Sequence, residues 1–221
     1  MVSEELKMEQ SRLKKTGTTT VGLVCKDGIV LAADKKATLG GMIVSSKTME
    51  KVISINDTLA LTVAGLVSDI QLLVKLVKAQ IKVDELRKGK SLKVRESVNI
   101  LANLVYNNSR KYSAIPGITG FLVGGVDKTG CYLYDLGMDG SLNLVDDYAC
   151  DGSGMVFAMG ALEANYKPNM SVDEGIKIAV AAVSAAVQRD TASGCGIDVI
   201  AITKDGAKKV LTKHLDTKMS V

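Results

Sequence analysis

The 221-residue chain carries a net charge of +4, from 28 basic and 24 acidic side chains spread without blocks, so it has no basic arm for nucleic acid. Trp is absent and aromatic residues make up 4%, which leaves little to stack on bases, and no run nears the ~20 apolar residues of a membrane span. The single histidine, His214 in a Lys-rich tail, and four dispersed cysteines, Cys25, Cys131, Cys150 and Cys195, exclude a histidine-based serine or cysteine protease and offer no metal site.

Residues 1–17 hold four basic and three acidic side chains and no sustained apolar period, so they read as a removable leader whose loss lowers the net charge by one. The leader also lacks the continuous apolar segment of a secretory signal, and the protein is expected to be soluble and cytoplasmic. Residues 18–221 are expected to form one catalytic domain. The cysteines, with no C-x-x-C pair, read as buried free thiols.

From residue 18 the chain turns β-branched, and the runs 18–25 and 29–34 flank the turn Lys26-Asp27-Gly28, predicting a hairpin. Gly40-Gly41 marks a second turn before Met42-Ile43-Val44, and the runs 52–55 and 59–64 flank Asn56-Asp57 as a second hairpin. The period then becomes helical. Ile70, Leu73, Val74, Val77 and Ile81 share one face, Gly89 interrupts, and Val94, Val98, Leu101 and Val105 share another before Pro116-Gly117.

Strands are predicted again at 119–126, 131–135 and 142–149. Met155, Met159, Leu162 and Tyr166 predict a third helix closed by Pro168, and Ser171 with Glu174 forms a capping box for a fourth helix reaching about Gln188. The last strands are predicted at 197–203 and around Val210, across the turn Lys204-Asp205-Gly206. Strands, two helices, strands, two helices, strands is clustered rather than alternating. That order predicts an α+β fold of two antiparallel sheets packed between helical layers, with the apolar run 29–33 buried on both faces.

The stretch Lys14-Lys15-Thr16-Gly17-Thr18-Thr19-Thr20 carries the chemistry. Cleavage between Gly17 and Thr18 would leave one residue with both a hydroxyl and a free α-amine, a nucleophile and its base. An α-amine has a reference pKa of about 7.7–8.0, and a neighbouring lysine favours its neutral form because like charges oppose protonation. The hairpin brings Asp34 back towards Thr18, and Lys51 is placed to meet both. Thr19 and Thr20 read as ordinary strand residues.

Five segments in order carry a family resemblance: Thr16-Gly17-Thr18-Thr19-Thr20-Val21-Gly22, Ala33-Asp34-Lys35-Lys36-Ala37-Thr38, Ala64-Gly65-Leu66-Val67-Ser68-Asp69, Gly152-Ser153-Gly154 and Gln188-Arg189-Asp190-Thr191-Ala192-Ser193-Gly194. Together they resemble β subunits of the 20S proteasome, above all the archaeal ones, from residue 16 to about 203. The resemblance implies the N-terminal nucleophile hydrolase fold, a four-layer αββα sandwich. It also implies autocatalytic cleavage between Gly17 and Thr18, and endopeptidase activity on unfolded polypeptides inside stacked heptameric rings of β subunits.

The partners it implies are further β subunits, α-subunit rings and a regulatory ATPase acting through the α ring, with no cofactor, nucleic acid or membrane. The implied catalytic set is Thr18, Asp34, Lys51, Ser153, Asp190 and Ser193, with the Gly65 N–H as oxyanion donor and Thr38 making main-chain contacts to a substrate laid down as a strand. Ala37, Met49, Ile53 and Val63 resemble the pocket for the residue before the scissile bond. All four are apolar, so cleavage after hydrophobic residues is expected.

Thirty-three positions separate Thr18 from Lys51, one more than the family commonly shows, so Lys51 is assigned across an insertion near Ser45-Ser46 and Glu50 is the ungapped candidate. Lys36, Ser68 and Cys195 also replace the residue types usual at those positions. The alternatives are a catalytically silent structural β subunit that keeps its leader, the related bacterial peptidase that works with an unfolding ATPase, and a small-ligand module using Gly152-Ser153-Gly154 as a phosphate loop. The last lacks both a completed G-x-G-x-x-G and a G-K-[ST].

Overall fold

A computed structural model of the chain describes residues 17–39, 41–113 and 117–215; of the expected leader only Gly17 falls among the described residues. The first hairpin pairs β1 (Thr20–Cys25) with β2 (Gly28–Asp34), Thr20 opposite Ala33. A small separate ribbon pairs β3 (Ala37–Leu39) with β4 (Ile43–Ser46). The second hairpin is β5 (Val52–Asn56) with β6 (Leu59–Thr62), followed by β7 (Ala64–Gly65). Helices α1 (Val67–Lys88) and α2 (Val94–Arg110) come next, with Gly89 in the left-handed region as the C-cap of α1.

The chain then runs through β8 (Thr119–Asp127), β9 (Gly130–Leu136), β10 (Leu142–Val145) and β11 (Tyr148–Asp151). Helices α3 (Met155–Asn165) and α4 (Val172–Val187) follow, and the last hairpin is β12 (Gly196–Thr203) with β13 (Gly206–His214). One sheet has the order β11-β1-β2-β12-β13 and the other β10-β9-β8-β6-β5, with β7 also on β8. Neighbouring strands pair antiparallel.

Three apolar clusters hold the layers together. The face of α1 and α2 carrying Leu73, Val77, Val98 and Leu101 packs on Leu61, Phe121 and Val123 of the second sheet. Ile29, Leu31, Leu122, Leu133 and Ile200 fill the space between the sheets. Val21, Val30, Ala32 and Val199 meet Leu162, Ala179 and Val183 of α3 and α4. Alternate residues of β2 thus enter two different cores, and the layer order is the αββα sandwich expected. Each fully buried Val, Leu, Ile or Phe side chain among these contributes about 1.5–3 kcal/mol.

In its strands and helices the structure departs from the sequence reading in three places. The strand expected at 142–149 is two strands in different sheets, broken at Asp146 and Asp147; β10 pairs β9 and β11 pairs β1. The run expected to reach 64 breaks at Val63, and β7 pairs with β8 only. On α3 the buried residues are Ala158 and Leu162, while Met155 and Met159 are exposed and Tyr166 is the C-cap. The capping box is present: Ser171 Oγ accepts the Glu174 N–H and Glu174 Oε2 accepts the Ser171 N–H. All four cysteines are free but only Cys25 is buried. His214 is exposed at the end of β13, and no described helix is long and apolar enough to cross a membrane.

Candidate active site

Pairing of β1 with β2 continues past the strand ends, where the Asp34 N–H donates to the Thr19 carbonyl at 3.1 Å. This places Asp34 beside the chain entering β1. Asp34 is fully buried and accepts four N–H groups. Oδ1 takes the Thr19 amide at 2.9 Å and Lys51 Nζ at 2.8 Å; Oδ2 takes the Lys36 amide at 3.0 Å and the Gly194 amide at 2.9 Å. A buried carboxylate so supplied with donors keeps its charge out of water.

Lys51 reaches this point from the residue before β5, where its carbonyl accepts the Val63 N–H. It is 4% exposed, and its Nζ also donates to the Gly17 carbonyl at 3.1 Å. Burial pushes the ammonium below the usual lysine range, and the charge of Asp34 opposes that shift. Of the two candidates Lys51 is the one that lies beside Thr18; Glu50 is exposed and pairs with Lys209 at the surface.

Thr18 is 4% exposed, and its Oγ1 donates to the Gly17 carbonyl oxygen at 2.6 Å. Its N–H donates to Ser153 Oγ at 3.2 Å. Ser153 Oγ and Ser193 Oγ each donate to Asp190 Oδ2 at 2.6 Å, and the Ala192 amide donates to Oδ1 at 3.1 Å. Six of the expected residues, Thr18, Asp34, Lys51, Ser153, Asp190 and Ser193, thus form one bonded cluster. Residues 152–154 close onto the Thr18 backbone, the Gly154 amide meeting its carbonyl at 3.2 Å, instead of leaving an open anion cradle.

A small cavity of about 40 Å³ opens beside Thr18 and Lys51. Ala37 and Thr38 of β3 line it, with Met49, whose amide donates to the Lys35 carbonyl at 3.0 Å. Val63 and Gly65 line it too, with Val67 and Ile70 of α1, neither of which the sequence reading assigns to a substrate pocket. Ile53 lies outside this lining. It is in register with Leu61 and packs against the core beneath α1 and α2.

Gly65 has φ +124°, and a β-carbon there would fall 2.1 Å from the Ile118 carbonyl oxygen, so the neighbouring backbone itself requires glycine. Thr38 Oγ1 is buried without a hydrogen-bond partner. Thr19, read from sequence as a plain strand residue, precedes β1; it is completely buried and its hydroxyl lies 2.7 Å from Ser193 Oγ. Among the described residues no cluster of three or more His, Cys, Asp or Glu could hold a metal ion.

The family model for proteasome subunits matches residues 14–202, which spans the whole cluster. The chain is 43% identical over 204 residues to a proteasome subunit beta of Archaeoglobus profundus, covering 92% of this chain and 93% of the relative. It is 44% identical over 203 residues to proteasome subunit beta 2 of Pyrococcus furiosus, covering 92% and 95%. It is 42% identical over 194 residues to proteasome subunit beta 1 of Thermococcus gammatolerans, covering 88% and 93%.

Proposed function

The chain belongs to the proteasome subunit family, and on that premise we propose that it is a threonine endopeptidase β subunit that releases its own leader and then cleaves unfolded polypeptides within the 20S particle. The observation that carries this reading is the position of the Thr18 hydroxyl, 2.6 Å from the carbonyl oxygen of the bond to be cut, with Lys51 Nζ 3.1 Å from that same oxygen.

In self-processing, Thr18 Oγ1 attacks the Gly17 carbonyl carbon. The C–N bond to Thr18 breaks, the nitrogen takes up the proton, and an ester to Oγ1 forms. Water then hydrolyses the ester, leaving a Gly17 carboxylate and a Thr18 with free hydroxyl and free amine. Lys51 donates to the oxygen on which negative charge develops.

Peptide cleavage repeats the attack in trans, with the new α-amine accepting the hydroxyl proton. Lys51 nearby disfavours a second positive charge on that amine. Ser153, fixed by Asp190, accepts an N–H from the same nitrogen and so holds its lone pair in one direction. The apolar lining by Ala37, Met49 and Val63 supports cleavage after hydrophobic residues, and β3 supports binding of substrate as an added strand.

Co-expression with α subunits, followed by intact-mass measurement, tests this. The parent chain is expected to begin at Thr18 and to cleave peptides, and Thr18→Ala to lose both properties. Peptide cleavage retained by Thr18→Ala overturns the mechanism, and a parent chain that keeps residues 1–17 after assembly identifies a silent structural subunit.

A further inference from the structure

Thr19 stands between the two carboxylates of the site. Its amide donates to Asp34 Oδ1 at 2.9 Å, and its hydroxyl meets Ser193 Oγ at 2.7 Å. The residue has no exposed surface, so neither bond is shared with bulk water.

Counting protons fixes the direction of the hydroxyl bond. An ionised carboxylate only accepts, so Ser153 and Ser193, both 2.6 Å from Asp190 Oδ2, each place their single hydroxyl proton there. Ser193 Oγ then has only lone pairs to offer Thr19, and Thr19 is the donor. By the same count Ser153 Oγ offers a lone pair to the Thr18 nitrogen. Two donor chains, Thr19 through Ser193 and the Thr18 nitrogen through Ser153, therefore converge on one oxygen of Asp190. The space around the Thr19 hydroxyl is kept clear, since a β-carbon on residue 154 would lie 1.9 Å from it.

We propose that Thr19 is a positioning residue of the threonine peptidase proposed above, its hydroxyl orienting Ser193 and, through Asp190, the Ser153 hydroxyl that holds the Thr18 nitrogen. The inference rests on that reading. Donation from Thr19 polarises the Ser193 hydroxyl and strengthens its bond to Asp190. Without it the Ser193 proton is free to turn to another acceptor, Asp190 Oδ2 loses a donor, and the Ser153 hydroxyl that shares this oxygen is no longer held in one direction.

The other charged and titratable groups around this network are few. They are Lys51, which interacts electrostatically with Asp190 and Cys195, Asp34, which is paired with Lys51, and Lys36, bonded to the Thr191 carbonyl. Thr19→Val keeps the shape and the amide bond to Asp34 and removes only the hydroxyl.

The test uses the full chain co-expressed with α subunits, as parent, Thr19→Val, Thr19→Ser and Thr18→Ala, with leader removal followed by intact mass and kcat and KM measured for a fluorogenic peptide. Thr19→Val is expected to assemble, to lose about tenfold in kcat or in the rate of leader removal, and to keep KM within about twofold. Thr19→Ser restores parental kcat and leader removal. An assembled Thr19→Val with parental kcat and processing overturns the inference, as does a serine variant as impaired as the valine one. Failure of Thr19→Val to assemble also overturns it, because the hydroxyl is then a requirement of folding. Thr18→Ala separates the two levels: if it still cleaves, the peptidase reading fails; if it is inactive while Thr19→Val matches the parent, only the role of Thr19 fails.

Discussion

Lys51 and Asp34 form a buried ion pair, Nζ to Oδ1 2.8 Å, with 4% and 0% of the two residues exposed. Such a pair is worth little against an apolar substitute but is costly to break from one side, because the remaining charge stays buried without its counter-ion. Lys51→Met is therefore expected to destabilise the chain by about 3–5 kcal/mol and to abolish leader removal. Urea unfolding of the purified chain reads the first effect and intact mass after assembly the second. A Lys51→Met chain as stable as the parent contradicts the buried-pair account.

Gly17 is confined by Ala192. A β-carbon on residue 17 would lie 2.1 Å from the Ala192 β-carbon and 2.3 Å from its carbonyl oxygen, and the second of these is backbone. Gly17→Ala must displace the 190–194 loop that supplies Asp190 and Ser193. Leader removal is expected to slow by at least about tenfold, the effect of ~1.4 kcal/mol on a barrier. Adding Ala192→Gly should restore little, because the oxygen stays where it was. Time courses of leader removal compare the three chains, and full restoration by the second substitution would show that only the two methyl groups collide.

Much of this arrangement is legible in the residues themselves. The continuous apolar run of β2 predicts a strand buried on both faces, and Ser171 with Glu174 marks the start of α4, because both patterns depend on local chemistry alone. The division of residues 142–151 between two sheets is set by partners distant in sequence, and nothing within the run announces it beyond the acidic pair Asp146-Asp147. Met155 and Met159 have helical spacing, but spacing does not say which side of α3 faces the core. Ile53 is apolar and close in sequence to Lys51, yet strand alternation turns it to the core under α1, since Val52 faces the space between the sheets. Thr19 escaped notice because its partner Ser193 lies 174 positions away.

The apolar lining supplied by Ala37, Met49, Val63, Val67 and Ile70 offers no side-chain charge to a substrate side chain apart from Lys51, whose ammonium is already bonded to Asp34 and the Gly17 carbonyl. A charged side chain entering it would be desolvated without a partner. Among fluorogenic peptides with an apolar, basic or acidic residue before the scissile bond, the apolar one is expected to be cleaved fastest, by at least about tenfold in kcat/KM. Fastest cleavage after acidic residues would contradict this, and Met49→Lys is expected to shift the preference towards acidic residues.

Asp151 and Asp135 face the layer between the sheets, Asp151 at the end of β11 opposite Thr20 and Asp135 on β9 opposite Leu122. Burial raises both carboxyls above the usual range, and the charge of Asp151 raises Asp135 further; the Gly152 amide donated to Asp151 offsets only part. The unfolded chain carries the ordinary, lower values, so at neutral pH the folded state holds partly buried charges that water would solvate better. That penalty is present above the folded-state pKa values and is relieved as pH falls through them. Asp151→Asn removes it and keeps an oxygen for the Gly152 N–H, so the melting temperature of the purified chain should rise by a few degrees at neutral pH, and the gain should shrink as the pH is lowered into the carboxyl range. A gain that is equal at both ends of the pH series, or a loss at neutral pH, would place the effect in packing against Gly120, where Asp151 Oδ2 occupies the space a side chain would need, and not in the buried charge.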